Sequence, residues 1–227
     1  RAQRGTEREP TPAHVPVHRA ASPNSSPEPL TAASIASRFA RVCAASIPRS
    51  MYVGSAPAAS KIAGEIATHT VEPLSLESGP AGHRYCVSIL RPAAPPPADG
   101  YPVLFLLDGN AAEQDLTQTG ALATPEGRTV AIVTIGYDTD QRFEVTARAY
   151  DYTPALVPGT PEHDPLDATR RSGGADGFLT FIRTTILPAV ERQIPVDRRR
   201  LGLWGHSYGG LFVLHALQHT DTFHCHI

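Results

Sequence analysis

The strongest constraint on the fold is an alternation of short apolar runs with helical segments, which begins near residue 100. Three apolar runs have the sequences YPVLFLLDG (101–109), TVAIVTIGY (129–137) and RRLGLWG (199–205). The runs are short and bounded by turn residues, which is typical of strands buried on both faces. The alternation predicts an α/β fold with a mainly parallel central sheet and helices on both faces.

The segments around these runs complete the predicted order of elements. HTVEPLSLES (69–78) and HRYCVSILRP (83–92) flank a Gly-containing turn and predict an antiparallel pair of strands. NAAEQDLTQTGALAT (110–124) predicts a helical crossover between the first two buried strands. Residues 138–172 are polar and contain four prolines, so we expect a long irregular excursion there.

Two further helices are predicted after the excursion. In GFLTFIRTTILPAVERQI (177–194), apolar residues recur every four positions, which indicates an amphipathic helix. They are Phe178, Ile182, Ile186 and Val190. Pro188 is expected to kink or break this helix. GGLFVLHALQH (209–219) predicts a second helix directly behind the third buried strand.

The N-terminal segment has a different composition. Residues 1–50 carry seven Arg and three Glu, a net charge of +4, whereas the whole chain has a net charge of −2. Residues 1–30 contain six Pro and no Phe, Tyr, Trp or Ile, so they cannot bury enough apolar area to offset the entropy of ordering. We predict a disordered or weakly helical Pro/Ala/Arg-rich tail over residues 1–55, with 31–47 as its helical part.

Charge, hydropathy and cysteine spacing exclude several classes of protein. The near-neutral charge argues against a generally basic nucleic-acid binder, and there is no run of about 18 apolar residues to predict a membrane span. Arg38 and Arg41 interrupt the Ala-rich stretch, so no intact signal peptide is visible, and a cytoplasmic or a periplasmic location stays open. Cys43, Cys86 and Cys225 lack metal-ligand spacing and predict neither a zinc site nor a disulfide framework.

The sharpest local motif is GHSYGG, residues 205–210, which follows an apolar strand and precedes an apolar helix. It matches G-x-S-x-G, the pattern of a nucleophile elbow, in the strand-to-helix context that the pattern requires. In such an elbow the serine has φ > 0, and strand and helix approach so closely that a Cβ two residues before or after it clashes. We predict Ser207 as a nucleophile between Gly205 and Gly209. The alternative is an ordinary glycine-rich turn.

Backbone amides at the start of the following helix stabilise negative charge on a reacting oxygen. The Tyr208 N–H is therefore predicted as one donor of an oxyanion hole. The second donor is expected in the loop after the neighbouring strand, DGNAA (108–112), at the backbone of Asn110. A plain Asp-Gly-Asn turn is the alternative there.

Six segments resemble one family of enzymes in their order and spacing. They are YPVLFLLDGNAA, IVTIGYDT, ARAYDYTP, GGADGFLTFI, LPAVERQIPVD and LWGHSYGGLFVLHAL, within residues 65–223. They resemble the putative-esterase (esterase D-like) family of α/β-hydrolases, and within it above all the siderophore esterases that cleave enterobactin, salmochelin or bacillibactin. The resemblance implies an α/β-hydrolase fold, serine-dependent hydrolysis of carboxylic esters without a cofactor, and a small-molecule ester substrate such as a ferric siderophore.

The segment ARAYDYTP supplies three candidate substrate-binding residues near the expected mouth of the site. Arg148 is a candidate partner for an anionic or catecholate substrate. The alternative for Arg148 is a structural ion pair with Asp151 or another carboxylate. Tyr150 and Tyr152 are candidates to line the pocket, and packing within the loop is their alternative.

The general base is not evident. A serine nucleophile needs a base, and in this fold the acid and then the histidine follow the serine, but only 20 residues follow Ser207. We expect both groups beyond Ile227 and interpret residues 60–227 as an incomplete α/β-hydrolase domain that lacks its C-terminal strands. We then expect the nucleophile strand to be an exposed edge, and the chain alone to be poorly stable and weakly active.

None of the histidines present is predicted to be the base, and His206 is expected to pack away from Ser207. Three functions stay open: a serine hydrolase of carboxylic esters that acts through an acyl-enzyme on Ser207, an inactive fragment or binding remnant that lacks the base, and an acyl-thioester hydrolase or acyltransferase, which uses the same elbow.

Overall fold

The computed structural model of the chain describes residues 68–74, 76, 79–119, 121–157, 162–164 and 167–227. The predicted tail over 1–55, with its Ala-rich stretch, lies outside the described residues. None of the helices in the described ranges is long and apolar enough to cross a membrane.

A six-stranded sheet forms the centre of the fold. Its strands are β1 (His69–Leu74), β2 (Tyr85–Pro92), β3 (Tyr101–Leu107), β4 (Ala131–Tyr137), β7 (Val196–Trp204) and β8 (Cys225–His226). Their order is β1-β2-β4-β3-β7-β8. The pairs β1–β2 and β2–β4 are antiparallel, whereas β4–β3, β3–β7 and β7–β8 are parallel. The predicted N-terminal antiparallel pair and the mainly parallel sheet are both confirmed.

Helices cover both faces of the sheet, as predicted. They are α1 (Gly109–Thr119), α2 (Val145–Asp151), α3 (Ala175–Phe181), α4 (Leu187–Glu191) and α5 (Tyr208–His219). On one face, Leu116 of α1 packs with Leu104 and Leu106. On the other face, Phe178 of α3 and Phe212 of α5 belong to the core that contains Phe105. The residues of β3 thus alternate between two separate apolar cores, which explains its continuous hydrophobic sequence.

The helix predicted over 177–194 is interrupted just before Pro188. The four apolar residues that recur every four positions are all completely buried, so its amphipathic pattern is confirmed. A π-helical turn, Ile182–Ile186, separates α3 from α4, and the Leu187 N–H donates to the Ile182 carbonyl. Pro188 has no N–H for the carbonyl four residues earlier, and the wider turn accommodates this missing bond.

The prediction of an irregular excursion over 138–172 is wrong. The segment contains α2 and a hairpin of β5 (Glu162–Asp164) and β6 (Asp167–Ser172). Helix α2 begins where the Glu144 carboxylate caps the Ala147 N–H. The polar residues that suggested a loop include Arg148 and Asp151, which are buried and paired with other side chains.

The expectation that the nucleophile strand is an exposed edge is also wrong. Gly202 and Leu203 of β7 pair with Cys225 and His226 of β8. The Gly205 N–H donates to the Ile227 carbonyl at 3.1 Å, so pairing continues to the end of β7. Within the described residues, β8 and not β7 lies at this edge of the sheet.

Candidate active site

Ser207 lies in a strained turn between β7 and α5, with φ 58° and ψ −117°. Its side chain is exposed. A Cβ on Gly205 would lie 2.3 Å from the Gly209 carbonyl oxygen, so the strand and the helix meet too closely for any other residue at position 205. A Cβ on Gly209 would meet nothing closer than 3.6 Å. The prediction that only glycine fits is confirmed at position 205 and is wrong at position 209. Gly209 turns its carbonyl group towards the strand, so a side chain at position 209 would point elsewhere.

Helix α5 begins directly after Ser207, which is its N-cap residue. The Gly209 N–H donates to the His206 carbonyl at 2.9 Å, and the Leu211 N–H donates to the Ser207 carbonyl at 3.1 Å. The Tyr208 N–H is the first amide of the helix and has no acceptor within it. This end of the helix therefore presents partial positive charge beside the Ser207 hydroxyl.

A second strained turn lies at the end of the neighbouring strand β3. Asp108 has φ 52°, and its carbonyl accepts the N–H groups of Ala111 and Ala112 at the start of α1. Leu106 of β3 is paired in parallel register with Trp204 of β7. The Asp108 turn and the Ser207 turn therefore lie side by side at the carboxyl edge of the sheet.

Asn110 clamps the Asp108 turn to the end of β4. Its side-chain amide donates to the carbonyls of Tyr137 and Thr139 at 3.0 and 2.9 Å, and its oxygen accepts the Tyr137 N–H at 2.9 Å. Gly136 leaves room for this amide, since a Cβ there would lie 2.3 Å from Asn110 Oδ1. The Asn110 side chain is thus structural, and its backbone lies at the start of α1, where the second oxyanion donor is predicted.

Arg148 joins the two turns. Its Nε and Nη2 donate to the two carboxylate oxygens of Asp108 at 2.8 and 2.7 Å, and Nη2 also lies 3.3 Å from the His206 carbonyl. Burial favours a lower pKa for Arg148, but the hydrogen bonds and charge of Asp108 raise the pKa above its ordinary value. Of the two alternatives for Arg148, the structure contains the ion pair, with Asp108 rather than Asp151 as the partner.

The two tyrosines of the same helical segment differ in exposure. Tyr152 is completely buried against Phe178 and Phe212, and its hydroxyl accepts the Asp108 N–H at 3.1 Å. Tyr150 is half-buried, and the Arg171 guanidinium lies 4.9 Å from its ring centre. The Tyr152 side chain therefore supports the Asp108 turn from the core instead of facing solvent.

The histidines of the described ranges do not form a hydrogen bond with the Ser207 hydroxyl. His206 is exposed, so the expectation that it packs is wrong. His215 lies 2.9 Å from an Asp176 oxygen, and its ring stacks on His219 at 4.1 Å. His163 is exposed on β5.

These features can now be compared with known proteins. The model of the family described as Putative esterase matches residues 78–226. The chain is a member of this esterase family. It is 40% identical over 149 residues to the apo-salmochelin esterase of Escherichia coli, covering 66% of this chain and 47% of that protein. It is 38% identical over 150 residues to the ferri-bacillibactin esterase BesA of Bacillus subtilis, covering 63% of this chain and 52% of that one.

Solved structures agree with the α/β-hydrolase fold of this esterase-family chain. The structure of the enterobactin and salmochelin hydrolase IroE has a TM-score of 0.59 and 38% identity, covering 69% of this chain and 60% of that one. The BES protein from Bacillus cereus has a TM-score of 0.58 and 28% identity, covering 78% and 63%. The chain spans about half the length of the curated relatives that it matches.

Sequence reasoning missed two carboxylates of this candidate site. Asp108 was considered only as part of a turn, although it anchors Arg148. Asp164 is buried on the β5–β6 hairpin and accepts a hydrogen bond from the Tyr208 hydroxyl. Both pairs join residues at least 40 positions apart, so no local pattern indicated them.

Proposed function

We propose that this chain carries the nucleophile of a serine hydrolase of carboxylic esters, with siderophore esters as the substrates. The observation that carries this proposal is the exposed Ser207 in its strained turn, with Gly205 held against the backbone of α5. An ordinary glycine-rich turn has no need of a strained, non-glycine residue with an exposed hydroxyl.

In the proposed reaction, the Ser207 oxygen attacks the ester carbonyl and loses its proton to a base. The tetrahedral intermediate collapses with loss of the alcohol and leaves an acyl-enzyme, which water then hydrolyses. The backbone N–H groups of Tyr208 and Asn110 are the proposed donors to the oxyanion. Among the described residues none is assigned as the base, since no histidine there is hydrogen-bonded to Ser207.

Arg148 supports this arrangement through the backbone of the elbow. Its guanidinium lies 3.3 Å from the carbonyl of His206, the residue before the nucleophile. The Asp108 carboxylate balances the positive charge of Arg148. We therefore expect Arg148 to stabilise the intermediate by holding the Ser207 turn and its oxyanion donors in place.

The substrate class is supported by the relatives. Those described above are named as esterases of salmochelin and of ferri-bacillibactin, and a third, from Emericella nidulans, is named as a siderophore enterobactin esterase. We propose trilactone siderophores as substrates. Their ester bonds need the chemistry that Ser207 offers.

The nucleophile is tested by covalent labelling with a fluorophosphonate probe, followed by mass spectrometry of the peptide that contains Ser207. We expect the unmodified chain to be labelled on Ser207 and Ser207→Ala to be unlabelled. The matched control is Ser88→Ala, which changes a buried serine of β2 and keeps the label. If Ser207→Ala is labelled to the same extent as the unmodified chain, the assignment of Ser207 as the nucleophile is refuted.

The substrate class is tested separately, by hydrolysis of ferric enterobactin and of a p-nitrophenyl ester. We expect the kcat/KM value for the trilactone to exceed that for the simple ester, in this chain or in a C-terminally extended version. A preference for the simple ester, or for a thioester, contradicts the proposed substrate.

A further inference from the structure

Helix α2 carries a buried carboxylate, Asp151, one turn after Arg148. Asp151 is completely buried, and three side chains from outside α2 donate to it. The Tyr85 hydroxyl lies 2.6 Å and the Tyr137 hydroxyl 3.0 Å from Oδ2, and His83 Nδ1 lies 3.1 Å from each oxygen. The His83 side chain is 24% exposed. Asp151 therefore ties α2 to β2, to β4 and to the turn before β2.

Side chains from the middle and the C-terminal end of helix α2 anchor it to the Asp108 turn, to the elbow and to the Asp151 cluster. One turn before Asp151, Arg148 binds Asp108 and the His206 carbonyl. Directly after Asp151, Tyr152 accepts the Asp108 N–H. The helix has only seven residues, and a helix of this length has little stability of its own. These side-chain anchors fix the position of α2, and with it that of Arg148 at the elbow, together with the buried Ala147 and Ala149 and the hydrogen bond from the Gly174 N–H to the Tyr150 carbonyl.

The turn that carries His83 is itself fixed. The His83 N–H donates to the Pro80 carbonyl at 3.1 Å, and the His83 carbonyl accepts the Gly79 N–H at 2.9 Å. Ala81 within this turn has φ 53°, an uncommon conformation for alanine. His83 is thus presented to Asp151 by a turn that does not depend on α2.

We propose that His83 and Asp151 are positioning residues for the Ser207 site: protonated His83 pairs with Asp151 and holds α2 where Arg148 can bind Asp108 and the elbow. This inference rests on the proposed function, because the readout is the reactivity of Ser207. Neither residue contacts the nucleophile, and both act through α2.

The ionisable groups that face His83 come from several elements. Asp151 and Tyr150 lie on α2, Glu144 caps it, Arg171 lies on β6, and Tyr85 lies on β2. The hydrogen bond to Asp151 raises the pKa of His83 above its ordinary value, against burial and the charge of Arg171, and the charge of Glu144 adds to this rise.

The two tyrosines of the cluster do not titrate near neutral pH. Burial is the largest cause that raises the pKa values of Tyr85 and Tyr137. The charge of Asp151 comes next for Tyr85, and the influence of Tyr152 and then of Asp151 comes next for Tyr137, so both tyrosines remain hydrogen-bond donors. Below about pH 6.5, the ordinary pKa of histidine, His83 is charged in both the folded and the unfolded chain. The His83–Asp151 pair then makes its full contribution to the stability of the folded chain. The contribution is lost as the pH rises through the raised pKa of the folded state.

The test compares rates of fluorophosphonate labelling at Ser207 from about pH 6 to about pH 9, across the range in which histidine titrates. The variants are His83→Gln, Asp151→Asn and, as the matched control, the exposed His163→Gln. Because ratios to the unmodified chain are compared, the pH dependence of the base itself cancels.

We expect the unmodified chain to be labelled about tenfold faster than His83→Gln at the acidic end, which corresponds to about 1.4 kcal/mol. This ratio should fall towards one as the pH rises through the His83 pKa. Asp151→Asn should be slow at every pH, and the His163→Gln ratio should not vary with pH. A ratio for His83→Gln that is also independent of pH overturns the proposed role.

A second measurement separates this inference from the proposed function. If neither the unmodified chain nor a C-terminally extended version is labelled at any pH, the proposed function fails, and the positioning role is then tested by NMR. The backbone amide signals of Ser207 and Tyr208 should shift with the titration of His83, and these shifts should vanish in His83→Gln. Amide signals that do not respond to His83 overturn the inference whatever the activity.

Discussion

The turns that follow β3 and β7 each place one residue at positive φ, but the side chains of these two residues point in opposite directions, one inward and one to solvent. Asp108 and Ser207 both have positive φ, both follow a parallel strand, and both directly precede a helix. The Ser207 side chain is exposed, whereas Asp108 is only 3% exposed and is bound to Arg148. The strained turn at Ser207 presents a hydroxyl to solvent, whereas the strained turn at Asp108 directs a carboxylate inward to bind Arg148.

The difference also shows how each turn is stabilised. Steric fit maintains the Ser207 turn, since Gly205 allows contact with the backbone of α5. Charge and hydrogen bonds maintain the Asp108 turn, through Arg148 on one side and the Tyr152 hydroxyl on the other. A substitution that disturbs the steric fit at the Ser207 turn and one that removes the charge at the Asp108 turn should therefore change stability and labelling in different ways.

The largest effect is expected for Asp108→Asn. Asparagine tolerates positive φ, so this substitution removes the charge and preserves the turn. It leaves the Arg148 guanidinium buried without a counter-charge, which costs about 3–5 kcal/mol in the free energy of unfolding. Denaturant unfolding followed by circular dichroism measures this loss.

The double variant Asp108→Asn/Arg148→Met serves as its control. Removing both charges should recover most of the lost stability, because no buried charge remains unpaired. Labelling of Ser207 should be slow in the double variant, because the bond from the guanidinium to the His206 carbonyl is gone. If labelling recovers together with stability, Arg148 acts only as a support for the fold.

Gly205→Ala should have the next largest effect. The added Cβ would lie 2.3 Å from the Gly209 carbonyl oxygen, which is backbone and cannot rotate away, so we expect a loss of about 1–3 kcal/mol and slow labelling. Gly209→Ala is the matched control in the same motif. Its Cβ has ordinary contacts, and alanine favours a helix, so stability should stay equal or rise by up to about 1 kcal/mol. Equal losses in both variants contradict the one-sided close approach.

The elbow and the sheet were predictable because their signals are contiguous in sequence. Six consecutive residues indicated the Ser207 turn, and the run 101–109 indicated a strand buried on both faces. The Asp108–Arg148 pair was not predictable, since it joins residues 40 positions apart and depends on α2. The polar sequence of α2 suggested a loop because its charged residues find buried partners only in the folded chain.

The smallest effect is expected for Tyr152→Phe, which tests the hydrogen-bonded side of the Asp108 turn. The ring keeps its contacts with Phe178 and Phe212, and the oxygen that accepts the Asp108 N–H is lost. This oxygen also interacts with the Tyr137 hydroxyl, which keeps its bond to Asp151. A buried donor without its acceptor costs about 1–3 kcal/mol, and we expect a value near the lower limit because the ion pair with Arg148 still holds the turn.

The matched control for this last change is Tyr150→Phe, on the half-buried ring of the same segment, where a change within about 0.5 kcal/mol is expected. Hydrogen exchange at the Asp108 amide gives a local readout. Because Tyr152 supports only this amide of the turn, Tyr152→Phe should accelerate exchange there and leave the amides of α5 unchanged. Faster exchange in α5 would show that the two turns open together. It would contradict the expectation that steric fit stabilises the Ser207 turn and charge stabilises the Asp108 turn independently.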